Sequence, residues 1–147
     1  MKKLGQYAFT QCPLEAIYLT GPQGLVELIG MGHFFYSEKI HTIIGAIHIT
    51  NNTNAPNCFN GTTSLKNVKI KISKNNFRII QSSLLTLESM RYLVDNSISD
   101  VNITIHENIY NAMLGQANYP FNEGTKEEWT KLLEDAINKQ ITFSTVL

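Results

Sequence analysis

The chain has 147 residues, with 12 Lys and Arg balanced by 12 Asp and Glu, 16% charged residues and no long run of either sign. One domain of this size removes roughly 70% of its unfolded surface from water and needs neither disulfide nor metal to be stable. The zero balance excludes the basic footprint of a nucleic-acid or anionic-membrane binder; the abundant Asn and Thr suit extended protein or glycan contacts, although AT-rich coding sequence produces the same Asn and Lys bias.

The N-terminal stretch "MKKLGQYAFTQCPLEAI" has two lysines but no following apolar run of signal-peptide length. No window approaches the eighteen or so apolar residues of a membrane helix, so the chain is expected to stay in the cytoplasm where it is made. Cys12 and Cys58 are too few for a disulfide framework, and no CxxC pair suggests zinc. They read as buried free thiols.

A repeat emerges along the first half of the chain. "FTQCPLEAIYL" sets out Phe9, Cys12, Leu14, Ile17 and Leu19; "FYSEKIHTIIGAIHI" sets out Phe35, Ile40, Ile43, Ile47 and Ile49 around an insertion at Gly45; "CFNGTTSLKNVKIKI" sets out Phe59, Thr62, Leu65, Val68 and Ile70. The anchors at 14, 40 and 65 are 26 and 25 residues apart, and those at 17, 43 and 68 keep the same offsets. Between these units "GPQG" at Gly21–Gly24 and "GMG" at Gly30–Gly32 are turn material without the strand-loop-helix spacing of a phosphate cradle.

A period of this length means one strand plus a return segment per unit, with neighbouring units stacking to bury what each leaves exposed. Alternation puts Val68, Ile70 and Ile72 inward and Lys69 and Lys71 outward, with Tyr18 and His48 outward on the earlier strands. Phe9, Phe35 and Phe59 are expected to stack as a ladder behind the strands. An open end of such a stack invites a neighbouring subunit or self-association.

Longer return segments are expected to continue the stack. "LLTLESMRYLVDN" predicts a helix over Leu87–Asp95 with Thr86 as N-cap and Leu87, Met90, Leu93 and Val94 on its buried face. "VNITIH" alternates as a strand with Asn102 and Thr104 outward, and "ENIYNAML" follows as a short helix buried through Ile109, Ala112 and Met113. After the loop "GQANYPFNEG", Thr125 and Glu128 form a capping-box signature opening "KEEWTKLLEDAINK", whose inner side is Trp129, Leu132, Leu133, Ala136 and Ile137. "QITFST" ends the pattern as a strand with Ile141 and Phe143 inward and Thr142 outward.

The units "AFTQCPLEAIYL" and "CFNGTTSLKNVKI" resemble the BspA-like, Treponema-pallidum-type leucine-rich repeats: Phe, a small turn, Cys or Thr, then Leu-x-x-Ile-x-Ile. The segment from "LTLESMRYLVDN" to "ITFST" is similar to the closing module of such repeats in short proteins of gut bacteriophages and prophages, often tail-fibre, baseplate or other appendage proteins. The resemblance covers Phe9 to Thr145 and departs from the family in its few complete repeats and in the loop Ala117 to Gly124. It implies an α/β leucine-rich-repeat-like solenoid of stacked strands with helical or irregular return segments. One domain is expected over residues 1–147, with short repeats over 1–80 and helix-containing repeats over 81–147.

Chemistry-bearing residues do not assemble into a motif. His33, His41, His48 and His106 are scattered; His41 and His48 are expected to approach across a turn, with no carboxylate or thiol completing a ligand set. Ser82 and Ser83 lack a Gly-x-Ser-x-Gly context. Asp95, Asp100 and Glu107 have the spacing of an acid pair, but helix ends and strand starts collect acids. The Asn-x-Thr sequons at Asn51, Asn60 and Asn102 accompany an Asn-rich composition. The reading is of a non-enzymatic protein without catalytic, cofactor-binding or metal residues. Its contact surface is expected on Tyr18, His48, Lys69, Lys71, Asn102, Thr104 and Thr142. The expected setting is a bacteriophage virion assembled in the host cytoplasm, the chain acting as an oligomer or part of an assembly. Its partners are other virion proteins or, alternatively, a host-surface protein or glycan, with no nucleic acid and no membrane insertion.

Overall fold

Period-two alternation writes the longer strands, and Asn and Gly write turns between them, as at Asn51–Asn52 and Asn60–Gly61. In chain order the elements are β1 (Lys2–Leu4), β2 (Ala16–Tyr18), β3 (Leu25–Leu28), β4 (Thr42–Ile49), β5 (Asn67–Ile72), β6 (Asn76–Ile80), α1 (Leu87–Asn96), β7 (Asn102–His106), α2 (Glu107–Met113), α3 (Lys126–Asn138) and β8 (Thr142–Val146). The computed structural model describes residues 2–19, 25–53, 58–116 and 121–147; the Gly21–Gly24 turn and the first half of the Ala117–Gly124 loop lie outside them. The chain is mixed α/β, and every strand pairing among the described residues is parallel.

β4 is the spine of a five-stranded sheet. β5 runs along one edge of it, while β2 pairs with Thr42–Ile44 and β3 with Ala46–His48, end to end along the other. β1 lies outside β3. β4 carries extra residues between Thr42 and Ala46, where it bulges against β5 around Gly45. An even insertion keeps the phase of the alternation, so Ile43, Ile47 and Ile49 all point inward. Gly45, at φ 108°, has Leu19 O 2.8 Å from where a Cβ would sit, so no larger residue fits there without backbone movement.

Behind this sheet the return turns stack on one another with a 25-residue repeat. The left-handed position recurs at Gln11, Tyr36 and Gly61, and the backbone N–H groups of Phe9, Gln11, Phe34 and Tyr36 donate to carbonyls of the next turn. Phe9, Phe34 and Phe59 stack with centroids 5.7 and 5.1 Å apart, and Phe77 of β6 meets Phe59 edge-on at 6.0 Å. The middle rung of the expected ladder is therefore corrected from Phe35 to Phe34; Phe35 lies one residue beyond and stacks on the exposed Tyr36. The same spacing assigns the position of buried Ile40 and Leu65 to Glu15 in the first unit, which leaves Leu14 51% exposed rather than an inward anchor. One residue is absorbed between turn and strand, since Ile17 pairs with Ile43.

The second half departs from the expected single stack. β6, β7 and β8 form a separate three-stranded sheet, and what lies beside β5 is not a strand but α1. The helix runs the length of β5: Thr86 N donates to Lys66 O at 3.0 Å at its start, and Ile98 N to Ile72 O at 2.9 Å past its end. In between, the buried Ser89 hydroxyl accepts from Val68 N at 3.0 Å and donates to Lys66 O at 3.0 Å. A helix with one inward serine thus satisfies backbone groups that an edge strand leaves to solvent. Thr86 caps it as expected, accepting from Ser89 N at 3.2 Å, and Lys139 Nζ closes its far end on Val94 O and Ser97 O at 2.8 and 2.6 Å.

Both sheets and the helices bury one hydrophobic cluster, including Ile47, Ile70, Ile103 and Trp129. In α3 the buried stripe is Trp129, Leu132 and Ala136, narrower than expected; Leu133 is half-buried and Ile137 is 61% exposed. Thr125 accepts from Glu128 N at 3.2 Å, as the capping signature requires. Cys58 is fully buried, which pushes its thiol up to about 12 and makes it inert, whereas Cys12 is half-buried. His33 is also fully buried: Nε2 donates to Ile29 O at 2.6 Å, and Nδ1 has no partner among the described residues.

Two predictions follow from this packing. Phe59→Ala should cost roughly 3–5 kcal/mol in urea unfolding and Phe35→Ala about 1 kcal/mol or less; equal costs would contradict the ladder. For His33, burial holds the imidazole below its ordinary 6.5. Below that pH the unfolded chain takes up a proton that the native chain resists, so stability is full above 6.5 and lost as pH falls through the native value. The thermal midpoint should fall with pH in that window, and less steeply in His33→Gln; an unchanged slope would show that His33 is not the group responsible.

Candidate binding surface

Outward positions of the five-stranded sheet line up in rows across the strands. One row reads Lys3, Glu27, His48, Lys71, each registered with the next. Its members come from four strands far apart in sequence, yet their side chains share one surface because parallel pairing repeats the alternation in phase.

Glu27 faces outward but is only 6% exposed. Thr50 Oγ1 donates to its Oε2 at 2.7 Å and Asn52 Nδ2 at 3.4 Å, while Asn52 N donates to Thr50 Oγ1 at 3.1 Å. The Thr50 bond chiefly, then Asn52 and the Lys3 and His48 charges, holds this carboxyl below the usual carboxylate range. It therefore stays ionised as a fixed negative point on the face.

Beside it, His48 Nε2 lies 2.7 Å from Ser73 Oγ, and Nδ1 is shielded without a partner among the described residues. Partial burial lowers its pKa, Lys71 adds to the shift and Glu27 opposes it, so the ring is neutral at pH 7. A serine on one nitrogen of a histidine suggests a nucleophile and base, but that chemistry needs a carboxylate orienting the other nitrogen. The neighbouring carboxylate is committed to Thr50 and Asn52 instead, so the arrangement is suited to holding hydrogen-bonding groups in place rather than to acyl transfer.

Further along the same face, the bulge at Gly45 and the wall of α1 enclose a groove of about 380 Å³. Asn67 Nδ2 donates to Thr42 Oγ1 at 3.2 Å on its floor, Lys69 Nζ lies 5.8 Å over the Tyr92 ring of α1, and Glu88, one turn earlier on the same helix, also lines it. Ile44, 41% exposed, and Tyr18, 72% exposed, extend it toward the sheet edge. A larger hollow of about 500 Å³ between α1 and α3 is lined by four glutamates with Arg91 and Lys131. Both of its cations are engaged with Asp135, at 2.7 and 3.0 Å, and three of the glutamates lie in or beside helix N-terminal turns where the dipole favours them.

Of the residues expected to form one contact surface, Tyr18, His48, Lys69 and Lys71 do share this sheet. Asn102, Thr104 and Thr142 lie on the three-stranded sheet, where Asn102 Nδ2 donates to Thr142 Oγ1 at 2.8 Å. Both sheets turn their inward sides to the common core, so their outward faces are separate surfaces. His41 and His48 do not approach each other: His41 immediately precedes β4 and His48 is its penultimate residue, roughly 20 Å away at strand rise, and His41 Nδ1 bonds Thr42 Oγ1 at 2.8 Å. Ser82 is a buried bridge, donating to Leu65 O at 2.6 Å. Glu27, Thr50, Ser73 and the α1 wall were missing from the expected surface. Glu27 had a signal in its position between the inward Val26 and Leu28; the others depend on tertiary contacts.

Among the described residues no group of three or more His, Cys, Asp or Glu side chains is placed to hold a metal ion, and no helix is long and apolar enough to cross a membrane. Comparison of the chain with family models, with curated proteins and with solved structures gives no match.

Proposed function

We propose that this chain is a non-enzymatic binding and structural module, a short leucine-rich-repeat-like solenoid that works through the outward face of its five-stranded sheet. The observation that carries the reading is that polar side chains on that face are already held by their neighbours: Glu27 by Thr50, His48 by Ser73, and Thr42 by Asn67. Groups fixed before a partner arrives lose little further rotamer freedom on binding, which favours recognition. The repeat pattern and its resemblance to short phage proteins support a setting in a bacteriophage virion, as a tail, baseplate or head component contacting other virion proteins. The exposed Tyr18 and Ile44 beside those fixed polar groups favour a second reading, recognition of a host-surface protein or glycan, the two being compatible in a receptor-binding appendage.

The expected result for the virion reading is that mass spectrometry finds the chain in purified particles at fixed stoichiometry; particles lacking it would remove that setting. For the binding face, Lys69→Ala combined with Lys71→Ala should weaken binding of the purified chain to host cells or to partner proteins at least roughly tenfold. Lys69→Ala alone should change stability by less than about 0.5 kcal/mol. Undiminished binding would move the function off this face.

A further inference from the structure

The two edges of the five-stranded sheet are treated differently. Beyond β5, α1 covers the edge along its whole length, with Ser89 bonded to both Val68 N and Lys66 O. At the opposite side β2 pairs only with β4, and β1 only with β3, among the described residues. The core is thinnest there too: Leu4, Phe9 and Leu19 are only partly covered, and Tyr7, Leu14 and Tyr18 are 47%, 51% and 72% exposed.

This open side has a step. β2 and β3 lie end to end along β4, but β1 covers β3 alone, so the outermost strand is β2 over the first half of the edge and β1 over the second. An antiparallel neighbour reverses the order of the halves. Its protruding strand then meets the recess beside β2, and its own recess receives β1. The shape is complementary to itself under a two-fold rotation normal to the sheet, an operation that keeps both inward faces on the same side.

From this geometry we infer that the chain forms a two-fold dimer in which β1 of each copy pairs antiparallel with β2 of the other. Side-chain parity agrees. Leu4 and Ile17 are inward, so each covers the other across the new junction, while Lys3 and Tyr18 are outward and are brought together, a cation beside an aromatic ring. The half-covered Phe9 of each copy lies behind that junction. Each copy uses its single β1/β2 edge once and the partner uses the same edge in return, so association through this edge closes at two rather than growing into a fibre, while α1 covers the opposite edge of the sheet. This inference goes beyond the binding face, since it concerns the sheet edge rather than the Glu27–His48–Lys71 row.

The test is sedimentation equilibrium of the full chain over a concentration series, read together with circular dichroism to verify folding. The expected species is a dimer, twice the 16.6 kDa chain mass, and nothing larger. Tyr18→Lys, at a position already exposed to solvent, sets two lysines against each other and should weaken the dimer at least roughly tenfold. Tyr18→Glu, which sets a carboxylate beside Lys3 of the other copy and leaves Lys3 next to Glu27 within its own chain, should keep the dimer, and Ile137→Lys on the exposed side of α3 should change nothing. A monomer at every concentration, an open-ended series of larger species, or a dimer indifferent to Tyr18→Lys would each overturn the assignment.

Discussion

The stacking of Phe9, Phe34 and Phe59 is the contact on which the first half of the molecule depends. No single unit covers its own phenylalanine: the middle ring, Phe34, is covered by Phe9 on one face and Phe59 on the other, at 5.7 and 5.1 Å. Offset aromatic pairs add about 0.5–1.5 kcal/mol to the burial of the rings. The larger effect is on register. Once the rings stack, the turns that carry them are held 25 residues apart, their N–H groups meet the next turn's carbonyls, and the strands they lead into arrive in phase. Row-wise alignment of Glu27, His48 and Lys71 on the far side of the sheet is thus a consequence of what happens behind it.

A stack of parallel strands leaves two edges, and the second half of the chain deals with one of them. α1 replaces the strand that the next repeat would supply, and the exchange works because Ser89 sits where an edge needs both a donor and an acceptor. An aliphatic residue there would bury Val68 N–H without a partner, a defect costing about 1–3 kcal/mol. Between β5 and α1 the chain forms β6, which meets the aromatic ladder through Phe77 and starts the second sheet, so the ladder links the two sheets as well as the three turns.

Local pattern and long-range packing were unequally legible in the sequence. The helices could be read because their signals are local: Thr86 and Thr125 cap them, and Met90, Leu93 and Val94 or Trp129, Leu132 and Ala136 give each a buried stripe. The repeat was legible in its period but one residue out at Phe34, because two adjacent phenylalanines offer the same anchor and the strand spacing of 26 between Ile17 and Ile43 pulls the choice toward Phe35. The recurring left-handed positions at Gln11, Tyr36 and Gly61 would have resolved it, but only the glycine advertises itself. Short strands such as Lys2–Leu4 have too few residues to show a period. Nothing local distinguishes a helix that continues a stack from one that ends it, and that is why the residues expected on one surface lie on two sheets.

The surface that resulted has a chemical logic of its own. A glutamate so well covered on an outward face is costly unless its charge is compensated, and here hydroxyl and amide donors from the turn after β4 compensate it. Those donors come from Thr50 and Asn52, and Asn52 is itself oriented by its backbone bond to Thr50. Ser73, after β5, does for His48 what Thr50 does for Glu27. The turns after β4 and β5 thus each fix the row's side chain on the neighbouring strand, Glu27 of β3 and His48 of β4, so these turns define the middle of the face as much as the strands do. Changes in those turns would rearrange this polar face while leaving the core and its ladder intact, separating the residues that specify the fold from those that specify the surface.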